Sequence, residues 1–203
     1  MSAEEIWTAL DAMEGSEIGR LKEVATWYDP VTRKPVSVYE HSHNLIAFEN
    51  ELNDAVMKGK GVPQEVVLKR KDGRVESLSP DKINAFVDYY KNVATGEGSA
   101  RKLFLLRLAL ALHDIGKVED KGDDRLASYK HAEPVVVRLN LDGIVTDEEA
   151  ALVLALVYLH DTFNTMHFGE ALPSDIQRYL KAHDVDESKY YELAPLLYIF
   201  DIG

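Results

Sequence analysis

One apolar run stands out in the sequence: Leu103-Phe-Leu-Leu-Arg-Leu-Ala-Leu-Ala-Leu-His-Asp-Ile-Gly-Lys117. Nine of its first ten residues are apolar, which predicts a helix that is buried on most sides. The run carries Arg107 and is much shorter than the roughly 18 apolar residues of a membrane-spanning helix. We therefore expect a core helix that ends at Gly116, and no membrane span.

The adjacent pair His113-Asp114 follows this apolar helix. Burying an imidazole and a carboxylate is costly unless something satisfies both. Neighbouring residues on a helix point about 100° apart, so both side chains reach one ion only where the helix ends or bends, and we expect Gly116 to supply the bend. Such ligands suit manganese, iron, zinc, nickel or cobalt, and suit magnesium less well. A hydrogen-bonded pair that caps the helix end is the alternative interpretation.

The remaining pattern predicts an all-α fold in one domain over residues 1 to 203. The exception is Val66 to Leu78, where β-forming residues flank Lys71-Asp-Gly-Arg74, a hairpin signal. We therefore predict a small β-hairpin insertion over residues 58 to 80. Helices are expected over residues 3–13, within 15–29, and over 38–57, 80–93, 100–115, 147–161, from 174 onward and over 189–202, with caps at Ser79-Pro80, Thr146 to Glu149 and Ser174 to Gln177.

Composition excludes several classes of partner and site. The net charge of −12 argues against long nucleic acids, which require a basic surface. A small phosphorylated substrate remains compatible, because a bound cation reverses the local field. The chain has no cysteine, so disulfides and thiolate metal sites are excluded. The start of the chain lacks the features of a signal peptide, and we expect a cytoplasmic protein.

The motif His113-Asp-Ile-Gly-Lys117 after an apolar helix resembles the signature of the HD-domain metal-dependent phosphohydrolase superfamily. The closest pattern is the HD region of bacterial CCA-adding tRNA nucleotidyltransferases, although their nucleotidyltransferase domain has no counterpart here and tRNA end synthesis is not implied. The resemblance implies an HD-domain helical bundle. Further segments similar to the family follow in order: Gly19 to Val24, Tyr39-Glu-His-Ser42, Tyr129-Lys-His-Ala132, Leu156-Val-Tyr-Leu-His160 and Ile199-Phe-Asp201.

The same resemblance implies a metal site with one or two divalent ions. One ion is held by His41, His113, Asp114 and Asp201. A second is held by His131 and His160, with Asp114 as the bridge. His43 is an alternative to His41, which the match to Tyr-Glu-His-Ser favours. Asp161 either orients a ligand histidine or is a surface acid, and we expect His167 and His183 to be structural or solvent-facing.

Catalysis is implied to involve Asp114 and Lys117, in metal-assisted hydrolysis of a phosphate ester. Candidate phosphate contacts are Lys117, Arg125 and Lys130, with solvated surface positions as the alternative for each.

Three functions are compatible with the motifs. The first is hydrolysis of a phosphomonoester or phosphodiester, most plausibly nucleotide-like. The second is a non-catalytic sensing or scaffold domain with a structural metal, and the third is oxygenation by a di-iron centre. Because Asp201 lies two residues from the end of the sequence, we also expect the native protein to continue beyond Gly203. The oligomeric state is left open.

Overall fold

The computed structural model describes Ile6, Thr8 and residues 25–28, 35–59, 66–69, 75–118, 124–167, 169 and 171–202. Within these ranges the chain forms eight α-helices, and the helical fold predicted from the sequence is confirmed. They are α1 (Val38–Met57), α2 (Pro80–Thr95), α3 (Ser99–Leu112), α4 (Asp124–Leu141), α5 (Asp147–Leu159), α6 (Thr162–His167), α7 (Pro173–Ala182) and α8 (Glu187–Ile202).

Helix α3 lies at the centre of the bundle. It contacts α1, α2, α5 and α8, while α5 also contacts α4, α7 and α8. All residues from Leu103 to Leu112 are buried, including Arg107, as expected for a core helix. The helix ends at Leu112, a few residues before the predicted end, and a 3₁₀ turn over Ile115–Val118 follows it.

Two short antiparallel strand pairs accompany the helices. Strand β1 (Ala25–Tyr28) pairs with β2 (Pro35–Ser37), and β3 (Val66–Lys69) pairs with β4 (Val75–Leu78). The β1 strand corrects our prediction of helical turns up to residue 29, because its Thr-Trp-Tyr sequence favours extended backbone and β2 supplies its hydrogen bonds. That residues 58–80 form an insertion into a helical domain stays a prediction.

Local capping signals place several helix starts. The Ser79 side chain accepts from the Lys82 N–H before Pro80, and Thr146 forms a capping box with Glu149, both as predicted. At α7 the prediction was wrong in detail. The Asp175 carboxylate accepts from the Leu172 N–H, so the helix begins at Pro173, one residue earlier than the proposed capping serine.

The predicted helix over residues 3–13 lies outside the described residues, apart from Ile6 and Thr8, which are helical. Ile6 is buried and belongs to the hydrophobic core. Across the ranges that the structure describes, every helix is too short or too polar to cross a bilayer.

Candidate metal centre

Four side chains from three distant parts of the chain meet at one end of α3. They are His41 from α1, His113 and Asp114 directly after α3, and Asp201 from the last turn of α8. One nitrogen or oxygen atom from each lies within 4.8 Å of the others. His41 and Asp201 are separated by 160 positions in the sequence. The structure therefore brings together the four residues that the family resemblance assigns to one ion; their role as metal ligands stays a prediction.

The distances within this group match those expected around a single cation. His113 Nε2 lies 3.1 Å from Asp201 Oδ1 and 3.5 Å from Asp114 Oδ2. His41 Nε2 lies 3.4 Å from Asp201 Oδ1 and 3.9 Å from Asp114 Oδ2. Ligand atoms that each lie about 2.1 Å from a tetrahedral ion are roughly 3.4 Å apart. One ion thus fits between these atoms with little rearrangement.

A capping box places His41. The Ser37 side chain accepts from the Glu40 N–H at 3.1 Å, and the Glu40 carboxylate accepts from the Ser37 N–H at 2.9 Å. These two bonds start α1 at Val38. His41 consequently lies in the first turns of α1, at the end of the helix that faces the group.

Two buried histidines are oriented in the same way. His113 Nδ1 donates to the Leu110 carbonyl at 2.9 Å, and His160 Nδ1 donates to the Val157 carbonyl at 2.7 Å. A carbonyl only accepts, so the proton on each ring must be on Nδ1. In the neutral tautomer, each Nε2 then offers its lone pair, which is the usual arrangement of a metal-binding histidine.

Asp114 carries an unsatisfied oxygen atom. Its side chain is 1% exposed, and its Oδ1 has no hydrogen-bond partner among the described residues. His160 Nε2 lies 3.7 Å from this oxygen. A buried carboxylate oxygen without a partner is strongly destabilising. The residues present fit a divalent cation, which would satisfy the orphaned oxygen.

The charges in the group are balanced by protons and a lysine. Burial opposes protonation of His113, but Asp114 and Asp201 outweigh it and raise its pKa to about 9. Burial also opposes ionisation of Asp201, yet contact with His113 holds the pKa of Asp201 far below its usual value. His160 behaves oppositely, because burial and the charge of His113 lower its pKa. The two carboxylates therefore face a positively charged His113 ring and the ammonium of Lys117.

Lys117 contacts Asp114 directly. Its Nζ lies 2.6 Å from Asp114 Oδ2, within the 3₁₀ turn that follows α3. The predicted contact of Lys117 with a phosphate stays a prediction.

Gly116 allows helix α4 to approach the turn. A Cβ atom on Gly116 would lie 2.1 Å from Ser128 N and 2.4 Å from the Ala127 carbonyl carbon. Its N–H donates to the buried Ser128 hydroxyl at 3.1 Å. Gly116 is absent from the residues with positive φ. Gly116 lies in the 3₁₀ turn that follows α3, and that it supplies the bend there stays a prediction. The position also requires glycine because two backbones touch there.

The second set of predicted ligands consists of His131, His160 and the bridging Asp114. His160 adjoins Asp114, whereas His131 lies half-buried on α4, one turn beyond Ser128. Neither histidine belongs to the group of His41, His113, Asp114 and Asp201. A second ion bound by His131 and His160 stays a prediction.

The other candidate residues differ in how far their side chains are exposed to solvent. Arg125 is half-buried and Lys130 exposed on α4, and their contact with phosphate stays a prediction. His43 is exposed and stacks on Tyr39, so α1 presents His41 rather than His43 to the group. Asp161 is half-buried, and His183 is exposed and stacks on Tyr179. The side chain of His167 lies outside the described residues.

Sequence reasoning missed the buried polar residues that join α1, α2 and α3. Glu49 is fully buried and pairs with Arg107, whose Nε lies 2.5 Å from the Glu49 carboxylate. Tyr90 donates its hydroxyl to the same carboxylate. The available signal was Arg107 itself, because a guanidinium inside an apolar helix requires a buried acid.

Comparison with family models, with curated proteins and with solved structures gives no match for the chain.

Proposed function

We propose that the protein is a metal-dependent phosphohydrolase that acts on a small phosphomonoester or phosphodiester of nucleotide-like character. The observation that carries the proposal is the convergence of four ligand atoms, from His41, His113, Asp114 and Asp201, within 4.8 Å. The ordered resemblance to the HD superfamily supports the assignment to phosphate chemistry. A divalent transition ion in such a site supplies Lewis-acid polarisation of a phosphoryl oxygen and lowers the pKa of a water molecule.

The residues of the chain have separate tasks in this proposal. His41, His113, Asp114 and Asp201 hold the ion, and Asp114 contributes the most buried negative charge. His160 adjoins Asp114 Oδ1, where it orients this carboxylate or takes part in binding a second ion. Lys117, whose Nζ lies 2.6 Å from Asp114 Oδ2, would contact a phosphate oxygen of the substrate at this edge of the site. Arg125 and Lys130 on α4 add positive charge for the substrate.

Access to the site supports a catalytic role over a structural one. The His41 and Asp201 side chains are each 18% exposed, whereas His113 and Asp114 are at most 1% exposed. The group is thus closed on one side and open on the other. Structural metal sites are closed, and catalytic sites keep one position for water or substrate. A non-catalytic sensing or scaffold role is the second candidate, favoured by the deep burial of His113 and Asp114.

The variant Asp114→Ala tests the proposal. We expect wild-type protein to bind Mn²⁺ and to hydrolyse p-nitrophenyl phosphate or bis-p-nitrophenyl phosphate. The variant should lose at least about a hundredfold in Mn²⁺ affinity, because loss of a direct ligand exceeds the 10–100-fold effect of a supporting partner. Its circular dichroism spectrum should remain helical, since apolar packing and not the metal stabilises the fold.

Asp142→Ala is the matched control, because Asp142 is an exposed aspartate that pairs with Arg138 at the end of α4. It should bind Mn²⁺ and hydrolyse both esters as the wild type does. Hydrolysis by Asp114→Ala at the wild-type rate contradicts the proposed catalysis. Unfolding of the variant favours the structural-metal role, in which metal binding is part of the folding free energy.

A further inference from the structure

A proline interrupts the helix that carries Asp201. Pro195 lies inside α8 and has no N–H, so the carbonyl of Tyr191, four residues earlier, lacks its helical hydrogen bond. The hydroxyl of Tyr89, from α2, lies 3.0 Å from the Tyr191 carbonyl oxygen and 3.1 Å from that of Glu192. A side chain of a neighbouring helix therefore supplies the donor that the proline removes.

The Tyr89 hydroxyl is suited to this task. Burial, and then the charge of Glu192, raise the pKa of Tyr89, so its proton is retained. The two oxygens belong to consecutive residues of α8, and the hydroxyl lies close to both of them. The contact consequently holds the backbone of α8 at a defined position against α2, independently of the side chains that α8 presents.

The same face of α2 also holds the far end of α8. Phe200, directly before Asp201, contacts Phe86 and Tyr90 of α2 edge-on, with ring centroids 5.8 Å and 6.1 Å away. Residues 86, 89 and 90 are three and four positions apart, so they share one face of α2. Asp201 lies six residues beyond Pro195, roughly 9 Å along the helix. Helix α2 thus fixes α8 at the proline and again beside Asp201.

We infer that Tyr89 is a positioning residue for Asp201, because its hydroxyl replaces the helix hydrogen bond that Pro195 lacks. The last turns of α8 then carry Asp201 to within 3.1 Å of His113 Nε2 and 3.4 Å of His41 Nε2. The expected effect of Tyr89 on metal affinity rests on the proposed function. The expected effect of Tyr89 on the contact between Asp201 and His113 is independent of that function.

A double-mutant cycle tests the inference, with Tyr89→Phe, Pro195→Ala, the double variant and the wild type. The substitution Pro195→Ala restores an N–H that bonds the Tyr191 carbonyl, so the Tyr89 hydroxyl becomes dispensable. Tyr89→Phe should therefore reduce the folding equilibrium constant roughly fivefold with Pro195 present, and less than about twofold in the Pro195→Ala background. Tyr191→Phe is the matched control: it removes the same atom from a half-buried tyrosine of α8 whose ring packs on Tyr190.

Two further measurements follow the position of Asp201. The ¹⁵N and ¹H signals of the His113 ring are assigned in metal-free protein by their absence from the spectrum of His113→Gln. These signals should shift in Tyr89→Phe and return towards their wild-type positions in the double variant. Mn²⁺ affinity should fall roughly tenfold in Tyr89→Phe and should recover in the double variant. Equal effects of Tyr89→Phe in both backgrounds, or unshifted His113 signals, overturn the inference.

The proposed function fails separately from the inference. If the wild-type protein binds no Mn²⁺, the proposed function is overturned. In that case the unfolding cycle and the His113 signals still test the inference, because both are measured on metal-free protein. Coupling between the two substitutions supports the inference, and additive effects overturn it.

Discussion

At the scale of single residues, Gly116 has the least room for change. Two backbone atoms of α4 would lie 2.1 Å and 2.4 Å from an added Cβ, and backbone cannot move aside as a flexible side chain can. Gly116→Ala should therefore separate the turn from α4 and destabilise the protein by about 2 kcal/mol or more. Because Asp114 lies two residues earlier, Mn²⁺ affinity should fall as well. Urea unfolding and metal titration measure the two effects.

Gly59→Ala is the comparison for this substitution. Gly59 has a φ of +62°, and a Cβ added there would meet no atom within 4 Å, so alanine encounters only the backbone penalty of about 1 kcal/mol. Equal losses for the two variants would show that the close approach of α4 does not constrain Gly116.

Part of the candidate site could be predicted from single residues of the sequence. The pair His113-Asp114 was recognisable because both residues are adjacent and follow an apolar run. Gly116 was singled out from the sequence as the site of a bend, whereas the steric reason for a glycine there was not predicted. Glycine is required at position 116 because Ser128 and Ala127 of α4 lie against it. Contacts between separate segments leave no local pattern in the sequence.

At the scale of helices, the buried pair Glu49–Arg107 joins α1 to α3. Arg107→Met would leave the Glu49 carboxylate buried without its guanidinium, with the Tyr90 hydroxyl as its remaining partner among the described residues. We expect a loss of about 3 kcal/mol or more in the free energy of unfolding. Chemical denaturation measures it.

An exposed ion pair provides the contrast. Lys58 and Asp54 are both more than half exposed, so Lys58→Ala should cost no more than about 0.5 kcal/mol. Replacing Glu49 and Arg107 together by leucine should recover only part of the lost stability, because no unpaired charge then remains but the buried Tyr90 hydroxyl loses its acceptor. A single Arg107→Met variant as stable as the wild type is incompatible with a tightly coupled pair.

A second inter-helix contact makes stability depend on pH. Glu149 at the start of α5 accepts from Arg101 of α3 at 2.6 Å and 2.5 Å, and these bonds chiefly lower its pKa from 4.5 to about 2. A carboxylate with a lowered folded-state pKa contributes its full stabilisation above the unfolded pKa. The contribution should therefore be present above about pH 4.5 and disappear as the pH falls towards 2.

Glu149→Gln isolates this contribution. Glutamine keeps a capping side chain at the third position of α5 but carries no charge. In urea unfolding, the variant should be less stable than the wild type at pH 6, and the difference should shrink progressively between pH 4.5 and pH 2. A constant difference across this range would show that the charge of Glu149 is not responsible.

Helices were predicted correctly where local capping residues mark their starts. Prediction failed for a helix that tertiary packing stabilises against its local sequence preference. Caps at Ser79 and Thr146 were read correctly, since a cap involves residues only three positions apart. Helix α4 was not predicted as a unit, because Pro134 and the following valines disfavour a helix interior. Burial of Val135, Val136 and Leu139 in the core, with α4 packed on α5, outweighs this preference.

At the scale of the whole molecule, one ion would tie α1, α3 and α8 together. A ligand that binds only the folded state stabilises it by RT ln(1 + [L]/Kd), about 2.7 kcal/mol at a free concentration of 100 Kd. Mn²⁺ should therefore raise the melting temperature, and EDTA should reverse the increase. Asp201→Asn should abolish the effect, whereas Asp142→Asn should retain it. A melting temperature that is independent of Mn²⁺ in the wild type contradicts binding to the folded state.

The 160 positions between His41 and Asp201 also set an order of events during synthesis. At 5–20 residues per second, a ribosome needs roughly 10 to 30 seconds to pass from one codon to the other. Throughout that interval the nascent chain has His41, and later His113 and Asp114, but not the fourth side chain. An ion that requires all four cannot bind until α8 has emerged and docked. Metal uptake would then report the docking of α8, and the nascent chain would not be held in a partly folded state by early coordination.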